Sequence, residues 1–156
     1  MTSNRRKFLT RSGVVAAAVA MPAAAAAAQT TGGEKPVKRV IWPGGKPPAK
    51  PPLFSPIVTF GNMVFISGIN APIKGDIKTQ TTYVLDEIEK RLASAGSSMS
   101  KVLKVNVYLN TLDDFAGLNE VYLGRFGAEP PVRTTIAAAS GIPGGSLVEI
   151  DCIASI

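Results

Sequence analysis

Apolar residues recur along this chain with two different periods, and the switches between them mark its elements. The stretch "IVTFGNMVFIS" holds two short apolar runs around Gly61-Asn62, a pair that tolerates positive φ. Residues 57 to 60 and 63 to 67 are therefore expected to form an antiparallel hairpin. The period then lengthens: Val84, Leu85, Ile88, Leu92 and Ala95 share one helical stripe, and Gly96 supplies the stop. On the outer side of that helix, Asp86 with Lys90 and Glu87 with Arg91 are spaced for four-apart ion pairs.

Strict alternation returns in "VLKVNVYLN", with Leu103, Val105, Val107 and Leu109 on one side and Lys104, Asn106 and Tyr108 on the other. "LDDFAGLNEVYLGRFG" reads as a second helix, capped by Asp113 or Asp114, striped by Phe115, Leu118, Tyr122 and Phe126, and stopped at Gly127. Residues 134 to 139 and 147 to 156 read as closing strands joined through "SGIPGGS". In the last of them Val148, Ile150, Cys152 and Ala154 point one way, Glu149 and Asp151 the other.

The order β-β-α-β-α-β-β describes an α/β (α+β) domain, a single sheet with two helices on one face and right-handed crossovers. Val58, Phe60, Val148 and Ile150 give more β-surface than one chain obviously hides. The expectation is a ring of subunits whose sheets meet, with ligand pockets between chains.

Composition changes sharply ahead of the hairpin. The 156 residues suit one domain with an extension. Residues 29 to 52 are rich in Pro, Gly and Lys and read as a linker-like arm, in which "VKRVIW" has the β-formers for a short edge strand. The formal charge of +6 points to nucleic acid only until it is divided along the chain. Residues 1 to 28 contribute +4 and residues 29 to 52 another +4, whereas residues 53 to 156 hold eight bases against ten acids, a net −2. The domain at 53 to 156 is mildly acidic, so a nucleic-acid partner lacks its electrostatic footing.

The opening "SNRRKFLTRSG" runs into "VVAAAVAMPAAAAAAQ". It resembles a twin-arginine export signal, with Arg5, Arg6, Phe8 and Leu9 on the expected spacing and Ala26 and Ala28 preparing cleavage after residue 28. That resemblance implies export of the folded protein to the periplasm, with no stable membrane anchor after cleavage. A retained anchor is the alternative, opposed by Pro22 and by the alanine-dominated run.

The chain has no histidine and one cysteine, which excludes Ser-His-Asp triads, histidine-based metal sites and internal disulfides. No metal or cofactor is expected. Arg133 is conspicuous in "EPPVRTTIAAAS", at the entrance of an apolar strand and behind two prolines. If that strand neighbours the one carrying Glu149, a guanidinium and a carboxylate could face one crevice. The first would grip a substrate carboxylate with two hydrogen bonds and the second would hold or deprotonate water. An ordinary cross-strand ion pair is the other reading of the same two residues.

The segments "FGNMVFISG", "AGSSMSKVLKVNVYLNTLDDFAGLNEVY", "PPVRTTI" and "GSLVEIDCIA", in this order and spacing, resemble the RidA (YjgF-type) family of enamine/imine deaminases over about residues 38 to 156. The resemblance implies a homotrimer of chorismate-mutase-like fold with pockets at subunit interfaces. It further implies hydrolysis of 2-imino acids to 2-oxo acids and ammonia. It places the carboxylate-binding arginine on Arg133, adjacent hydroxyl or backbone contacts on Thr134 and Thr135, and the water-positioning acid on Glu149. The loop glycine falls on Gly68 and a helix asparagine on Asn119. Two positions depart from the pattern: "PLFSPI" puts Phe54 where the family has a tyrosine and Pro56 where it has a glutamine, and "SGINAP" lacks the usual glutamine. The alternative function is a trimeric binder of small carboxylates that performs no chemistry.

Overall fold

The computed structural model describes residues 35 to 156. The export-signal reading of residues 1 to 28, and the beginning of the arm, lie outside the described residues.

Eight regular elements follow in chain order: β1 (Lys38–Ile41), β2 (Ile57–Phe60), β3 (Met63–Asn70), α1 (Ile77–Ser94), β4 (Val102–Leu109), α2 (Phe115–Tyr122), β5 (Val132–Ala137) and β6 (Val148–Ser155). The strands form one sheet in the order β1-β2-β3-β6-β4-β5, antiparallel except for the β4–β5 pair. The edge strand expected in "VKRVIW" is β1. Gly61 turns the β2–β3 hairpin at a φ of 60°, a backbone conformation that an L side chain would strain.

Alternation along each strand decides which side chains lie under the helices. In β6, Val148, Ile150, Cys152 and Ala154 are buried, and they share one core with Val105, Val107 and Leu109 of β4 and with Val84, Leu85, Ile88 and Leu92 of α1. Val148 and Ile150 are thus hidden by the chain's own helix. Phe60 and Ile136 remain about half exposed, and Phe65 is 38% exposed. Phe65 pairs with Val58 and Ile153, so an apolar row crosses the opposite face of the sheet.

Several local readings need correction. Leu103 is 49% exposed because the β4–β6 register slips between Val102 and Lys104, which turns Val102 inward in its place. Helix α2 stops at Tyr122, five residues before Gly127, and Leu123 turns outward, yet Phe126 still reaches the core through the following turn. The hydroxyl of Thr111, rather than Asp113 or Asp114, caps the turn leading into α2, accepting the Asp113 N–H at 3.3 Å. Neither expected four-apart pair forms on α1: Glu87 pairs with Lys90 at 2.7 Å and Asp86 with Arg125 at 2.6 Å.

Helix α1 starts at Asp76, whose carboxylate accepts the Thr79 N–H at 2.8 Å. One turn further on, the buried Gln80 ties two loops together. Its carbonyl accepts the Leu147 N–H at 2.8 Å and the Ser146 hydroxyl at 3.1 Å, while its amide donates to Ile73 O at 3.1 Å. These bonds anchor the segment before α1 to the segment before β6, and so fix the end of the sheet where Glu149 emerges.

Candidate active site

Two half-sites form at different places on the sheet. The first is built around Arg133. Its partner in the ladder is Val105, whose other neighbour is Cys152, so the guanidinium projects on the helix-covered side of edge strand β5. There α2 presents Phe115, Asn119 and Tyr122, spaced four and three residues apart and therefore on one helical face. Arg133 Nη2 donates to Asn119 Oδ1 at 2.8 Å, and its guanidinium carbon lies 4.5 Å from the Tyr122 ring centre and 5.6 Å from that of Phe115. These rings and the Asn119 bond brace the fork while leaving donors free.

Thr135, two residues along on the same face, carries a buried hydroxyl with no hydrogen-bond partner among the described residues; the Tyr122 hydroxyl is in the same condition. Burial pushes the Tyr122 phenol up to about 12, against the opposing pull of the Arg133 charge. Thr134 points to the opposite face and accepts from Lys104 Nζ at 2.6 Å. Only one of the two threonines therefore flanks the guanidinium.

The second half-site is built around Glu149, which faces Asn70 of β3 on one side and Tyr108 of β4 on the other. An extra residue in β3 between Ile66 and Ile69 bulges the strand at this level. Gly68 sits in the bulge with its Cα against the Glu149 carboxylate: a Cβ there would overlap Oε1 and come within 2.9 Å of Cδ. Gly68 and Phe54 also line a common cavity of about 290 Å³. Phe54 itself is 68% exposed.

Arg133 and Glu149 do not converge within one chain. Strand β4 separates their strands, and Glu149 lies three residues from Cys152, an odd offset that sends it to the face opposite Arg133. The same geometry removes the cross-strand ion pair. Arg133 has no carboxylate partner among the described residues.

A family model described as Endoribonuclease L-PSP matches residues 46–156. The chain belongs to this family. A RutC family protein of Pyrococcus horikoshii is 39% identical over 125 residues, which covers 76% of this chain and 98% of the relative. The chloroplastic Reactive Intermediate Deaminase A of Arabidopsis thaliana is 32% identical, covering 77% of this chain and 67% of that protein. Among solved structures, a protein of the conserved Rid family from Yersinia pestis superimposes with a TM-score of 0.69 at 30% identity, covering 77% of this chain and all of the other.

For this L-PSP family chain, the pair of rings against Arg133 is the feature that sequence reading missed. Phe115 and Tyr122 read there as core residues, although their spacing around Asn119 already put all three on one face. The thiol of Cys152 is sealed in the core, where burial first and Asp151 second push it up to about 12. Such a thiol is no nucleophile at neutral pH.

Proposed function

We propose that the protein hydrolyses 2-imino or enamine acids to 2-oxo acids and ammonia, working as a homotrimer in which Arg133 of one subunit meets Glu149 of the next. The observation that carries this reading is a guanidinium braced by Asn119 and Tyr122, short of an anion, beside an unpartnered Thr135 hydroxyl. Such a fork suits a planar carboxylate. The half-sites lie on opposite faces of one sheet, so a second copy is needed to complete the cleft. The exposed apolar row of Phe65 and its neighbours gives that copy a surface to bury.

The chemistry asks for positioning above all. An imine carbon is already electrophilic, so anchoring the carboxylate and presenting water supplies much of the barrier reduction. Water oxygen bonds to C2 as the C=N π-electrons move to nitrogen. Glu149 takes one water proton and passes it to nitrogen, which gives a carbinolamine. The remaining O–H proton then moves through Glu149 to the same nitrogen as C=O forms and the C–N bond breaks, releasing ammonia and the oxo acid. No electrons leave the system. The name of the Arabidopsis relative agrees with this reaction class.

The non-catalytic carboxylate binder is the second reading, favoured by Phe54 and Pro56, which carry no polar side-chain group into the cavity they line. Generating 2-iminopropanoate in a coupled assay decides between the two. Accelerated decay that is lost in Glu149→Ala supports the enzyme; binding of pyruvate with no effect on decay supports the binder. The family description mentions an endoribonuclease, but the net −2 over residues 53 to 156 gives RNA little to hold.

Export is part of the same proposal: Arg5-Arg6 and the alanine-rich run would deliver the folded protein to the periplasm. Fractionation of cells producing wild type and an Arg5→Lys, Arg6→Lys double variant tests it, with retention of the variant in the cytoplasm expected.

A further inference from the structure

The cavity beside Gly68 contains a cation that the hydrolysis above leaves unused. Arg91, in the last turn of α1, lines it together with Phe54, Gly68, Asn70, Tyr83 and Glu87, the one carboxylate in the wall. Sequence spacing offers Arg91 to Glu87, but the Glu87 carboxylate is taken by Lys90 at 2.7 Å. Among the described residues Arg91 makes neither a salt bridge nor a side-chain hydrogen bond. It is nevertheless half-buried, and burial pulls its pKa below the ordinary arginine value against the opposing charge of Glu87.

A basic residue in a helix's last turn favours the dipole just as well from a fully exposed position, so that role does not account for burial. A partly desolvated guanidinium with free donors is unfavourable until an anion completes it. The occupant must be small, because about 290 Å³ is at the lower end of ligand sites and holds a short acidic arm rather than a nucleotide. Position decides what that arm belongs to. Gly68 lines this cavity and also lies against the Glu149 carboxylate, so the cavity, which Tyr83 and Arg91 approach from α1 and Glu149 does not itself line, is linked through Gly68 to the water-bearing half of the proposed site.

We propose that Arg91 receives a second carboxylate, at the end of the substrate remote from the one held by Arg133, so that the preferred substrates are dicarboxylic 2-imino acids. This rests on the hydrolase reading for the identity of the reacting group, although the binding preference itself does not require turnover.

Calorimetric titration of the assembled protein with two product analogues, 2-oxoglutarate and 2-oxobutanoate, tests the preference without chemistry. Wild type is expected to bind the dicarboxylate about tenfold more tightly, the worth of one charge-assisted contact. Arg91→Met, which keeps the length of the arm, is expected to abolish the difference while leaving 2-oxobutanoate affinity unchanged. Its melting temperature should equal or exceed that of wild type, since an unpaired cation has been removed. Equal affinities in wild type, an unchanged ratio in Arg91→Met, or no binding of either acid would each overturn the proposal. Decay of the two corresponding imines, measured in parallel, separates the two ideas. A binding preference without turnover leaves the Arg91 site standing and removes the hydrolase; turnover of both imines at equal rates, with equal affinities, does the reverse.

Discussion

Gly68 and Glu149 compete for the same few ångströms, and only the missing Cβ of residue 68 lets the carboxylate lie across the β3 bulge. Gly68 does not have a positive φ, so alanine fits the backbone and the flexible end of Glu149 must yield. Gly68→Ala is expected to lower kcat for imine hydrolysis at least tenfold while moving Tm by less than about 4 °C, roughly the shift of a 1 kcal/mol change. A steady-state assay beside a thermal melt reads both.

Arg133 is held by Asn119 and by two aromatic rings, and the fork geometry matters as well as the charge. Arg133→Lys should raise KM by roughly 10 to 100-fold, the loss of a bidentate charged contact, with a smaller effect on kcat. Asn119→Ala releases one side of the guanidinium and should raise KM by less. If Arg133→Lys left KM at its wild-type value, the carboxylate would have to bind elsewhere.

Arg133→Ala and Glu149→Ala should each be inactive alone and partly active when co-assembled, because each active site would draw one residue from each of two subunits. Random mixing in equal amounts restores about a quarter of the wild-type sites in a ring with such shared sites. Unfolding and refolding the two variants together, then assaying the mixture, checks this. Zero recovery would mean that both residues act from one chain or not at all.

Much of the architecture could be read from period alone. The switch between two- and 3.6-residue repeats located both helices and the strands, and Gly61-Asn62 located the hairpin, because those signals are local. Arg133 stood out for the same reason, a charged fork in an apolar strand. Its relation to Glu149 was not legible. Alternation states which side of its own strand a residue takes, but the order of strands is set by long-range pairing, and β4 came between. Leu103 was misplaced by a register slip that no composition signals, and Arg91 lost its expected partner to Lys90, one residue nearer on the helix.

Alkaline pH should destabilise the fold through two buried acids. Cys152 and Tyr122 both have folded pKa values near 12, raised by burial above their ordinary 9.0 and 10.0. The native state therefore keeps protons that the unfolded chain releases. Their stabilisation is complete below pH 9 and is lost as pH rises from 9 towards 12, by about 1.4 kcal/mol per pH unit for each group in its window. Urea midpoints from pH 8 to 10.5 should fall from pH 9 in wild type, and Cys152→Ala should delay the onset to about pH 10, where Tyr122 takes over.

Gln80→Ala should cost roughly 2 to 3 kcal/mol, because it leaves the Leu147 N–H without its acceptor and removes one partner of the buried Ser146 hydroxyl. Chemical denaturation measures the loss. Glu149 follows Leu147 by two residues, so turnover should fall further than the folded fraction does.

The bulge in β3 has an odd arithmetic. Ile66 and Ile69 pair with Cys152 and Ile150, three steps against two, and both isoleucines remain buried. Excising Ser67 would let the strand run straight with every later side chain still on its present side, so the sheet has no need of the surplus residue. What would disappear is the bulge that sets Gly68 against the Glu149 carboxylate. This strand thus contains a removable component: shortening it by one position should yield a sound scaffold with its chemistry deleted.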